Sequence, residues 1–140
     1  MKKFTALCIV FSFIISFNAF ALTDMEMSDL AKQICKEQTP SYVTALEMNL
    51  NLQEPAKIRG VIEKNYDADV NKKSRYPQYY KKESFVNTVM LDMHGFASKI
   101  KQTYPNMPSM YPPHVRDFKE SFPFECAQNV YTDLKKGTKK

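Results

Sequence analysis

Beyond the first two dozen residues, apolar side chains recur three and four apart, and prolines and polar clusters stand between the runs rather than within them. Thr23-Asp24-Met25-Glu26 has the Thr-x-x-Glu pattern of a capping box. Behind it Met27, Leu30, Ala31, Ile34 and Cys35 form one stripe, predicting a first helix from about Asp24 to Glu37. Thr39-Pro40 supplies an N-cap and a first-turn proline for a second, shorter helix carrying Val43, Leu46 and Leu50. Pro55 restarts the chain, and Ile58, Val61, Ile62, Tyr66 and Val70 make a third stripe that ends in Asn71-Lys72-Lys73-Ser74. The longest stripe follows Tyr76-Pro77, where Val86, Val89, Met90, Met93, Phe96, Ala97 and Ile100 hold the period over about four turns.

From Tyr104 to Pro113 four prolines remove backbone donors, so an apolar loop is predicted there and a helix is not. A final helical stretch carries Val115, Phe118 and Phe122, is expected to break at Pro123 with Ser121 as the cap, and resumes with Cys126, Ala127, Val130, Tyr131 and Leu134. Lys135 and Lys136 then place cations in the last turn, before Gly137 as a C-cap glycine. No segment alternates with the two-residue period of a strand. The expected fold class is therefore all-α, a small bundle of four or five helices with antiparallel neighbours.

The N-terminal segment changes the compartment. Lys2 and Lys3 precede the apolar run Ala6 to Ile15, and the small-x-small triplet Ala19-Phe20-Ala21 follows, which is the layout of a secretory signal peptide over residues 1–21 cleaved after Ala21. Cys8 lies inside that run behind Leu7, where a lipid-attachment site wants a small residue, so no lipid anchor is expected. No later window approaches the roughly 18 apolar residues of a membrane span, and no membrane insertion is expected after cleavage. What remains is one helical domain, residues 22–140, with a basic tail at about 137–140 and an expected bacterial periplasmic location. Without Lys2 and Lys3 the chain carries 18 Lys and Arg against 15 Asp and Glu, a net charge of about +3, too weak to imply a nucleic-acid partner. Export leaves Cys35 and Cys126 as the only mature thiols, and an oxidising compartment favours their pairing into a bridge that ties the first helix to the last.

Candidate chemistry is sparse. His114, Asp117 and Ser121 can be written as a Ser/His/Asp set, but Asp early in a helix serves the helix dipole and Ser121 serves as a cap. His94 and His114 are too few for zinc, and no Cys-x-x-Cys-His offers haem attachment. The chain is read as no enzyme and as needing no cofactor. Methionine clusters at Met25 and Met27, at Met90, Met93 and His94, and at Met107 and Met110 would suit Cu(I), although Met90 and Met93 lie on an apolar stripe where methionine fills cores. Outside the stripes stand Tyr76, Tyr79, Tyr80, Tyr104, Met107, Met110 and Tyr111, residue types that anchor protein interfaces when exposed and that close over a core when folded back.

The general plan, a signal peptide followed by one small helical domain with two cysteines, resembles several groups of small periplasmic proteins, among them immunity proteins against peptidoglycan-cleaving toxins and acid-stress chaperones. The resemblance is one of architecture. Exclusion of catalysis and the Tyr/Met/Pro set together favour a non-enzymatic binding protein, an inhibitor or immunity-type protein that covers the active site of a partner such as a toxin or cell-wall hydrolase. Copper handling through the methionines and acid-stress chaperoning stand as the alternatives.

Overall fold

The computed structural model describes residues 22–70 and 81–137. Among these residues there are four α-helices and no strand: α1 Asp24–Leu50, α2 Pro55–Asn65, α3 Lys82–Thr103 and α4 Tyr111–Gly137. The signal segment, Tyr76, Tyr79 and Tyr80, and the last three residues of the basic tail lie outside the described residues.

The capping box opens α1 as expected. The Thr23 backbone N–H donates to Glu26 Oε2 at 2.8 Å and the Glu26 N–H donates to Thr23 Oγ1 at 3.2 Å. The Thr23 N–H and then the Thr23 hydroxyl, which donates to the same Oε2 at 2.9 Å, favour the charged carboxylate and hold Glu26 below the usual carboxylate range.

The two helices expected on either side of Thr39-Pro40 are one. α1 runs unbroken for 27 residues with Pro40 inside it, and the Thr39 hydroxyl, instead of capping a new helix, donates back to the Cys35 carbonyl at 2.7 Å. Continuity prevails because both stripes face one core: Ile34 and Cys35 before the proline and Tyr42, Ala45 and Leu46 after it are all buried. Exposing either set would cost more than the roughly 3 kcal/mol that an internal proline does.

The same correction applies at the other end of the chain. α4 is continuous through Pro123, Ser121 lies mid-helix rather than at a cap, and Gly137 is the last helical residue without a left-handed φ. Its start falls within the segment expected to be loop, because Pro112 and Pro113 occupy the first turn, where an N–H has no intrahelical partner to lose.

α1 and α4 lie antiparallel along their whole length. Lys135 Nζ stands 3.4 Å from Asp24 Oδ1 at one pole, the Cys35–Cys126 disulfide joins the middles with Cα atoms 5.7 Å apart, and the rings of Tyr42 and Phe122 stack at 4.4 Å beyond it. Pro40 and Pro123 both fall between the disulfide and that ring contact. Each helix therefore loses one backbone hydrogen bond at the same level, and the pair stays in register.

The core is centred on α1, against which α2, α3 and α4 all pack. Leu46, Ile58, Ile62, Val86 and Val89 are the largest of its fully enclosed side chains. An aromatic chain threads the helices: Tyr66 to Phe85 at 5.5 Å, Phe85 to Tyr42 at 6.3 Å edge-on, Tyr42 to Phe122, Phe122 to Phe118 at 5.0 Å, and Phe118 to Phe96 at 5.4 Å. Tyr66 opens a single wide turn that extends α2, and Lys82 Nζ bonds Asp67 of that turn at 2.7 Å, tying it to the start of α3.

Candidate partner-binding surface

Four of the seven residues singled out as interface anchors lie in the described chain, and the α3–α4 connection gathers them at one pole. The connection is ordered. The Met107 N–H donates to the Tyr104 carbonyl at 3.2 Å, with Pro105 second and Asn106 third in the turn; Asn106 has φ 63°, the arrangement of a type II turn. A 3-10 turn over Pro108–Met110 follows, and the Met110 N–H donates to the Met107 carbonyl at 3.0 Å. Tyr104 folds back so that its ring lies 5.0 Å from His114, and Met110 and Tyr111 are half-buried. Met107 stands out, 54% exposed.

Beside this connection a groove of about 710 Å³ runs between the C-terminal end of α1 and the N-terminal end of α4. Val43 and Leu50 from α1, Pro108 from the 3-10 turn, and Tyr111 and Val115 from α4 give it apolar walls, and Glu47, Lys101, Arg116 and Lys119 stand around it. The α1 end is shaped by a Schellman motif: the Gln53 N–H donates to the Met48 carbonyl at 3.0 Å and the Leu52 N–H to the Asn49 carbonyl at 3.2 Å. That geometry requires a left-handed residue, and the position usually given to glycine is held by Leu52 with φ 55°. Leu52 is also 79% exposed, on the lip of the groove. Lys101 Nζ reaches from α3 to the Asn49 carbonyl, adding a cation at the negative end of α1.

On the other side of α4 a second groove lies between α3 and α4. Phe96 and Phe118 line it, and its charge is reversed, with Asp92, Asp117 and Glu125 against Lys99. His114, Asp117 and Ser121 all face this groove. The first and last are seven residues apart on the helix, about 10 Å along the axis, and no hydrogen bond joins the three, so they do not converge on one reacting atom.

The methionines divide in the same way. Met93 is buried in the core and His94, next to it, is exposed; Met27 is buried and Met25 is exposed. Met90 is half-buried one turn from His94 on α3, and Met107 is exposed near the half-buried Met110. Among the described residues no three His, Cys, Asp or Glu side chains are grouped to hold a metal ion.

Leu52, Arg116 and Lys119 escape a reading of the sequence. Leucine carries no turn signature, and the two cations count only once α1 and α4 are known to be neighbours. The one available signal is Pro55, which forces α1 to stop shortly before it and so demands some termination at Asn51 or Leu52.

Compared with models of known families, with curated proteins and with solved structures, the chain matches none. Its class rests on its own architecture: an all-α bundle, tied from first to last helix by a disulfide, with an incompletely covered apolar face along its last helix.

Proposed function

We propose that the chain is a non-enzymatic periplasmic binding protein that neutralises a partner protein, of the kind a toxin or cell-wall hydrolase represents, by covering its active cleft. The observation that carries this reading is the apolar face of α4. Tyr111, Val115, Phe118 and Phe122 are only half covered by α1 and α3, and the Tyr104–Tyr111 connection beside them is stiffened by proline. A preorganised apolar surface loses little entropy on docking, and aromatic residues in such a surface are typical anchors. The disulfide, with Cys35 buried and Cys126 half-buried, suits an oxidising exported compartment. Among the described residues no helix is long and apolar enough to cross a membrane.

The test is co-purification of the mature protein with its partner from an extract of the compartment, followed by titration of the isolated pair. A partner of micromolar affinity or better whose own activity falls on complex formation is the expected outcome. Absence of any partner at micromolar concentration overturns the reading.

A further inference from the structure

The α1/α4 groove carries a more specific statement, which rests on the binding-protein reading above. We propose that this groove receives an apolar side chain of the partner protein flanked by carboxylates, with Leu52 as the apolar lip and Arg116 and Lys119 as the pairing cations.

Charge selects this chemistry. Around the groove Lys101, Arg116 and Lys119 outnumber the single carboxylate of Glu47, and Lys101 is already engaged with the Asn49 carbonyl. Arg116 has only a loose contact with Asp117, at 3.8 Å, and its side chain is 69% exposed. The groove on the opposite side of α4 is acidic, so charge is separated across this one helix and an acidic partner segment is directed to the α1 side.

Leu52 is the second, independent observation. Its left-handed backbone is one that glycine adopts without steric cost, and its side chain stands almost wholly in water. Nothing in the isolated fold is gained by leucine over glycine here, whereas a partner that covers the lip buries a large apolar side chain already fixed in place.

The experiment places the photocrosslinking residue p-benzoylphenylalanine at Leu52 in cells that make the protein, with the same residue at Phe124 and at Leu91 for comparison, two exposed apolar positions outside the groove. Irradiation at the Leu52 position is expected to link a partner segment whose contact residue is apolar and has Asp or Glu within about three residues. A synthetic peptide of that segment should bind the parent protein. Its affinity should drop at least about tenfold in Arg116→Glu/Lys119→Glu, in Leu52→Gly, and in about 0.5 M salt. Leu52→Gly should melt no lower than the parent, which separates lost binding from lost folding. Links at Phe124 or Leu91 but not at Leu52 overturn the groove and leave the binding-protein reading standing. No link at any of the three positions overturns both. A linked segment without carboxylates, or peptide binding indifferent to the charge reversal, overturns the chemistry assigned to the groove.

Discussion

α1 and α4 have the same length of 27 residues, each carries one internal proline, and they lie side by side, yet they hold opposite places in the energetics. α1 buries residues along its whole course, from Met27 to Leu50, whereas of α4 only Leu134 is fully buried and the rest of its apolar face is half covered. The first helix packs against the other three; the last is laid over it like a strap. Burial of one face along its whole course makes α1 the scaffold. Incomplete burial leaves α4 with apolar atoms to spare, although it packs on α1 along its length, where the disulfide and the ring contacts fix its register.

The largest test of this contrast removes the link. Cys35→Ser/Cys126→Ser opens a loop of 91 residues, for which the chain-entropy model gives a loss of about 4–5 kcal/mol and measured losses in small secreted domains run about 2–5. Denaturant titration reads the loss. Hydrogen exchange should show the amides of α4 losing protection first while those of α1 and α3 keep theirs, and equal loss in α1 and α4 would erase the distinction.

Next in size is a pair of truncations. Leu46→Ala on α1 empties a fully enclosed site and should cost about 3 kcal/mol, whereas Val115→Ala on α4 touches a half-exposed one and should cost about 1 kcal/mol or less. Equal costs would mean that α4 is as much core as α1.

A third test uses alkali. Tyr42 of α1 lies beneath Phe122 of α4, and its phenol is pushed up to about 12 by burial and then by the charge of Asp92. The folded protein thus keeps a proton that the unfolded chain gives up near pH 10, so stability is intact below pH 10 and falls between pH 10 and 12. The fall should reach about 2–3 kcal/mol. Tyr42→Phe should flatten most of it, with a remainder from Tyr66, which burial also raises. Full stability at pH 11.5 in the parent would show that α4 does not seal this site.

The periodic stripes, the capping box and the Cys35–Cys126 pairing are legible in the sequence because each depends on local spacing or on compartment. Pro40, Pro123 and the Tyr104–Pro113 segment mislead for one reason. Proline has a local cost of a few kcal/mol, and only the assembled core shows that continuity is worth more. At Pro112 and Pro113 there is no cost to recover, since a first helical turn accepts proline. The groove is invisible for a different reason: its two walls are some sixty residues apart in the chain, and the residue that shapes its lip is a leucine doing what glycine ordinarily does.

The Asp24–Lys135 contact brings the start of α1 and the end of α4 to one pole, and the helix from Asp24 to Val43, at about 1.5 Å per residue, puts that pole roughly 30 Å from the near edge of the groove. A reporter, an affinity handle or a surface tether joined at that pole thus leaves from the side remote from the proposed docking groove. With its ends adjacent, the chain also suits circular permutation: joining Asp24 to Lys135 through a short linker and reopening elsewhere would reorder the helices without stretching any of them.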